Sequence, residues 1–118
     1  MKDQAVHVVR IADDVVKISW NEPTGTVVSM VANIAERKLH SIIVFPKWIA
    51  DDPKKTVLFQ NEHLEEMKRF RDAGPHYPKL IIDEFAEITF LDKVEPGNDD
   101  LISVSPDDLP AGYADRRK

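Results

Sequence analysis

Asp83, Glu84 and Glu87 are the densest carboxylates beside apolar sequence, and His76 stands shortly upstream of them. Carboxylate oxygens suit a hard cation such as magnesium, and a histidine near acids suits proton transfer. The same acids can equally be solvated side chains on alternating positions of a strand. Backbone geometry decides between the two. On a strand, adjacent side chains point to opposite faces, so Asp83 and Glu84 share an ion only if the chain bulges or turns between them. On a helix, Asp83 and Glu87 stack at i,i+4. Leu80-Ile81-Ile82 and Glu87-Ile88-Thr89-Phe90-Leu91 are rich in β-branched residues, so two strands around Asp83-Glu84 are expected, and with them no metal site. The helical spacing of Ile81, Phe85 and Ile88 is the competing reading of this stretch.

Other chemistry finds less support. His7, His40, His63 and His76 lie far apart, and no pair has the short spacing of a metal site. There is no cysteine, hence no thiolate ligand, thiol nucleophile or disulfide, and no serine stands in a Gly-x-Ser-x-Gly setting. Gly25, Gly74, Gly97 and Gly112 are too scattered to cradle a phosphate. No cofactor is expected. The acidic pairs Asp13-Asp14, Asp51-Asp52, Asp99-Asp100 and Asp107-Asp108 are accounted for by turns, where aspartate bonds its own backbone. Trp48 and Ile49 lie between Pro46 and Pro53, and are the candidate partner-binding residues, since exposed tryptophan anchors interfaces. The favoured alternative for this pair is that it folds back to cap the core.

The elements that must hold these residues follow from periodicity. Residues 5–11 and 15–20 form a hairpin, the second strand turning Val16, Ile18 and Trp20 inward. Val27, Met30, Val31 and Ile34 recur at three- and four-residue spacing, which predicts a helix over 26–38. Ile42-Ile43-Val44-Phe45 has no polar break, which predicts a central strand over 41–45, stopped by Pro46. A loop with at most one helical turn follows, then a short strand over 56–59. A second helix runs from Asn61 to about Ala73, with acids early, bases late, and Gly74-Pro75 at its end. Its buried stripe is Leu64, Met67, Phe70 and the stem of Arg71. The expected fold is thus α+β: a four- to five-stranded, mostly antiparallel or mixed sheet with two helices packed on one face. Residues 1–94 are expected to be one domain. Residues 95–118 form an acidic tail containing proline and glycine, with 101–104 as its candidate edge strand.

Composition bounds the function. The chain of 118 residues is the size of one domain and, at 42% hydrophobic and 31% charged residues, is ordinary for a globular protein. No apolar run approaches the roughly 20 residues needed to span a bilayer, and the first four residues carry no signal-like hydrophobic region, so no membrane association is expected and a cytoplasmic protein is. Of the net charge of −5, residues 92–115 supply seven acids and one base, which leaves the body close to neutral. Such a body has no electrostatic footprint for nucleic acid, and Lys68, Arg69 and Arg71 are balanced by Glu62, Glu65, Glu66 and Asp72. The leading expectation is a non-catalytic protein-binding or accessory module, such as an inhibitor, immunity protein or chaperone-like partner, with a protein partner that includes the case of a homodimer. The alternative is a small enzyme, metal-assisted or not, that uses Asp83, Glu84 and Glu87 with His76.

Overall fold

The structure, a computed structural model, describes residues 4–57, 59–98 and 102–118. Outside them lie residues 1–3, part of the N-terminal segment discussed above, Leu58 of the strand expected over 56–59, and Asp99, Asp100 and Leu101.

Five strands form one antiparallel meander in the order β1 (His7–Ala12), β2 (Val15–Asn21), β3 (Val27–Asn33), β4 (Lys38–Phe45) and β5 (Leu80–Glu87). Two helices, α1 (Lys47–Asp51) and α2 (Leu64–Ala73), lie between β4 and β5. The layout is therefore α+β. The hairpin of β1 and β2 turns at Asp13-Asp14, with Asp14 in the left-handed region at φ 57°.

The helix expected over 26–38 is instead β3, a turn and the start of β4. Val27, Val28 and Val31 are β-branched and favour extended backbone. Along β3, Val28, Met30 and Ala32 alternate with Val27, Ser29 and Val31, and β3 pairs residue for residue with β2 and with β4. The spacing that suggested a helix mixes residues from both faces of this strand with Ile34 of the next turn. Asn33 closes that turn by accepting the Glu36 N–H at 3.0 Å, and Arg37 takes φ 57°.

Register sets the two faces of the sheet. Trp20, Val28, Ile43 and Ile82 form one cross-strand row, and Val16, Ala32, Leu39 and Ala86 another. Val28 and Ala32 are buried on this inward face. The opposite face carries Val9, Val27, Ile42, Ile81 and Phe85, all exposed. Asp83 and Phe85 lie on that outward face, while Glu84 shares the row of Ile18, Met30 and Ser41.

Beyond the end of β4 the chain builds its tightest packing. Trp48, Ile49 and Met67 are buried together, with Phe45 and Phe70 against them. The Trp48 and Phe70 rings are 5.7 Å apart. Trp48 is only 3% exposed and Ile49 is buried beside it, so neither side chain is presented at the surface. Backbone bonds lock α1 to the segment after α2: Trp48 N–H donates to Pro75 O at 2.8 Å and Lys47 N–H to His76 O at 3.1 Å. Helix α2 carries Glu65 and Glu66 in its first turn and stops at Gly74, φ 68°. Glu65 pairs with Lys68, at 2.8 Å, rather than with Arg69. A 3₁₀ turn, Pro53–Thr56, replaces the start of the strand expected over 56–59.

The two strands expected within 79–91 are one, β5, which runs through Asp83 and Glu84 without a break; Ile88 to Phe90 continue outside the sheet. The C-terminal segment runs back over the body. Lys118 N–H donates to Thr89 O at 3.0 Å, Leu91 N–H to Lys118 O at 3.2 Å, and Arg37 Nη1 to the same carbonyl at 2.7 Å. Arg116 stacks on Tyr113 and Phe90, with its guanidinium 3.5 and 4.1 Å from the ring centres. No strand forms over 102–104.

Candidate functional site

The connection from β2 to β3, Glu22 to Thr26, is held by a dense set of hydrogen bonds. Gly25 takes φ 86°, a conformation that suits glycine, and lets the chain reverse within five residues. Glu22 N–H donates to Thr26 O at 2.8 Å and Gly25 N–H to Glu22 O at 2.9 Å. Thr24 and Thr26 are 1% and 2% exposed, the buried polar side chains among the described residues. Such hydroxyls are costly to bury unless hydrogen-bonded, and here they are. Thr26 N–H donates to Thr24 Oγ1 at 3.2 Å, and the two hydroxyl oxygens lie 3.1 Å apart.

Glu22 is the acid this turn holds. Trp20 Nε1–H donates to Glu22 Oε1 at 3.2 Å and the Thr24 hydroxyl donates to Oε2 at 3.3 Å. Both carboxylate oxygens are thus fixed by donors. Two further supports come from the helices. Trp48 Nε1–H donates to Thr24 O at 3.2 Å, inside the core. The aliphatic stem of Arg71 lies so near Gly25 that an added Cβ would sit 3.4 Å from Arg71 Cγ. The turn is therefore clamped between the sheet, α1 and α2.

Glu22 opens onto a cavity of about 410 Å³. Its walls include Trp20, Phe59, Ile102, Val104 and Leu109, with Gln4 and Gln60 as polar points. Glu22 is the single carboxylate among the described residues that line it. Gln60 Oε1 is buried without a hydrogen-bond partner among the described residues. An aromatic and aliphatic cavity of this size, with a few fixed polar groups, is the form of a small-molecule site.

The residues singled out from sequence lie elsewhere. Asp83 faces outward and pairs with His40 Nε2, while the His40 ring meets Phe85 edge-on at 4.8 Å. Glu84 points to the other face of β5, and Glu87 pairs in register with Lys38 at the strand end. His76 sits after α2, its Nε2 2.6 Å from Arg71 O. The structure does not gather these four, and no group of three or more histidines and acids that could hold a metal occurs among the described residues. Sequence reasoning passed over Glu22, although a signal was there. Val16, Ile18 and Trp20 were assigned to the inward face, and continuing that two-residue period reaches Glu22 and Thr24.

Comparison with known proteins is decisive for class. The family model for phenolic acid decarboxylase (PAD) matches residues 1–116. Phenolic acid decarboxylase PadC of Bacillus subtilis (strain 168) is 44% identical over 117 residues, covering 95% of this chain and 73% of the relative. A probable phenolic acid decarboxylase of Vibrio cholerae serotype O1 is 40% identical over 113 residues, covering 96% of this chain and 65% of the relative. These matches overturn the expectation of a non-catalytic, protein-binding module. They favour the enzyme alternative, while Asp83, Glu84, Glu87 and His76, its expected residues, are not gathered in the structure.

Proposed function

Because the chain belongs to the phenolic acid decarboxylase family, we propose that it releases CO2 from a phenolic acid bound in the cavity beside Glu22. The carrying observation is a lone carboxyl group, held at both oxygens, facing a cavity lined by aromatic, aliphatic and amide side chains. Decarboxylation breaks a C–C bond and leaves its electron pair on carbon, where a proton must take it up. The substrate carboxylate leaves as CO2, a C–H bond replaces the C–C bond, and no oxidant or reductant is consumed. A phenol oxygen conjugated with that carbon supplies electron density when the carbon is protonated.

In this reading Glu22 gives the proton and becomes a carboxylate. Trp20 N–H and the Thr24 hydroxyl stabilise the charge as it forms, which is the kind of preorganised donor that lowers a barrier. Trp20 and Phe59 offer aromatic surface to the ring, and Ile102, Val104 and Leu109 add aliphatic surface beside it. Solvent returns the proton to Glu22 after product leaves. We take the reaction to run in the cytoplasm, the compartment expected from the sequence.

The test is direct. Supplied with a panel of hydroxylated aromatic acids, the protein is expected to release CO2 and the matching phenol, measured by gas evolution and chromatography. Glu22→Gln keeps the shape but carries no transferable acid proton, and is expected to reduce kcat by about 10²- to 10⁴-fold, the usual worth of general acid catalysis. No CO2 from any such acid would overturn the proposal.

A further inference from the structure

The two buried threonines invite a question that a single donor to Glu22 would not. One hydroxyl, from Thr24, suffices to hold Oε2; Thr26 lies a step further from the carboxylate, and yet its hydroxyl is also buried and in contact with Thr24. Resting on the reading of Glu22 as the proton donor, we propose that Thr24 and Thr26 are positioning residues forming a reversible hydroxyl relay, which lets Glu22 alternate between its ionised and protonated forms without losing a hydrogen bond.

Counting lone pairs and protons gives the argument. A threonine hydroxyl has one hydrogen and two acceptor positions. One acceptor position of Thr24 Oγ1 is taken by the Thr26 backbone N–H. The Thr24 hydrogen and its other lone pair remain, and they face two neighbours, Glu22 Oε2 and Thr26 Oγ1. When Glu22 is ionised, Thr26 O–H donates to Thr24 and Thr24 O–H donates to Oε2. When Glu22 is protonated, Trp20 N–H still occupies Oε1, so the acid hydrogen sits on Oε2. It then donates to Thr24, whose own hydrogen swings to Thr26 Oγ1. Each state is satisfied at Glu22 and Thr24, and passage between them needs only hydroxyl rotation. As the acid proton passes to substrate, the Thr24 hydrogen swings back onto the new carboxylate.

Few charges compete for control of this group. No other titratable residue lines the cavity among the described residues. From α1 the turn meets neutral Trp48. From α2 it meets the stem of Arg71, whose Nε–H donates to Asp72 at 2.9 Å, and His76 bonds the Arg71 carbonyl behind it.

The relay predicts shifts of opposite sign at neighbouring residues. The experiment measures kcat/KM against pH for the wild type, Thr24→Ser, Thr24→Val and Thr26→Val, with melting curves to show that each variant is folded. Thr24→Val deprives the carboxylate of a donor, so the midpoint of the limb set by Glu22 moves to higher pH. Thr26→Val removes the acceptor that Thr24 needs when Glu22 is protonated, so the midpoint moves to lower pH. The first displacement is expected to be about one to two pH units, the size one hydrogen bond to a charged group produces, and the second about half to one unit, the size of a neutral one. Thr24→Ser keeps the hydroxyl and is expected to keep the midpoint. If Thr24→Val does not fold, the contrast between Thr26→Val and Thr24→Ser carries the test. Folded variants whose midpoints stay put, or move the same way, overturn the relay while Glu22→Gln remains inactive. A Glu22→Gln variant with normal turnover overturns the reading of Glu22, and the relay with it.

Discussion

Glu22 stands in a five-residue turn beside two buried threonines, whereas Asp83, Glu84 and Glu87 stand along β5, an edge strand of the sheet. The chemistry of the side chains is the same and their surroundings are not. Glu22 has a fixed donor on each oxygen and a cavity in front of it. The β5 acids are exposed and split between two faces by the two-residue period, and Asp83 pairs at the surface with His40. Density of acids along a sequence thus says little about a site. What distinguishes Glu22 is that the structure orders groups around it that would otherwise be costly to bury.

The largest effect expected follows from that contrast. Glu22→Gln should lower kcat by about two to four powers of ten. Replacing Asp83, Glu84 and Glu87 together by their amides should leave kcat within about a factor of two, since exposed substitutions away from a site change little. A triple variant as impaired as Glu22→Gln would place chemistry on β5 and break the comparison.

Next in size is the support beneath the turn. Trp48→Ala removes a buried aromatic from the contact with Ile49, Met67 and Phe70, and should destabilise by about 3–5 kcal/mol. Trp48→Phe keeps most of the ring but leaves the Thr24 carbonyl without its donor, which costs about 1–3 kcal/mol when that group stays buried. Thermal melts separate the two. If Trp48→Phe alone lowers kcat in a sample that is fully folded, the indole N–H positions the Glu22 turn as well as stabilising it.

Parts of this arrangement were legible before any coordinates. The β1–β2 hairpin, the inward set Val16, Ile18 and Trp20, the strand through Ile42 to Phe45 and the amphipathic stretch of α2 follow from local period, although α2 begins at Leu64 and not at Asn61, with no side-chain cap. The segment 26–38 misled because valine and methionine at mixed spacing satisfy a helical pattern, while tertiary pairing with β2 and β4 favours the strand. The site was harder still. Its parts come from β2, the turn after it, the segment at Phe59-Gln60 and residues 102–109, and no local pattern announces that these meet.

A smaller effect concerns Gln60, which lines the same cavity as Glu22. Its Oε1 is buried with no partner among the described residues, the reverse of Glu22, whose oxygens are both engaged. Removing an unsatisfied acceptor lifts a desolvation cost, so Gln60→Leu should leave the melting temperature unchanged or raise it slightly. A clear fall would mean that the amide is engaged in solution.

The smallest effect lies where Lys118 of the C-terminal segment meets the body. Asp92 accepts a hydrogen bond from Lys118 Nζ at 2.6 Å, and this bond, with the nearby lysine and Arg116 charges, holds the Asp92 carboxyl below the usual carboxylate range. A carboxyl group with a depressed folded pKa contributes stability that is fully present above its unfolded value, about pH 4, and is lost as pH falls through the folded value. The contact should therefore be intact at neutral pH and loosen only in acid. Hydrogen exchange at the Leu91 and Lys118 amides, whose partners are Lys118 O and Thr89 O, reads it directly. Corrected for intrinsic exchange, protection at both should fall as pH drops below about 4, and Asp92→Asn should show the lower protection already at pH 7. Equal protection in Asp92→Asn and wild type across this range would mean that the backbone pairing and the Arg116 stack anchor the segment without help from the ion pair.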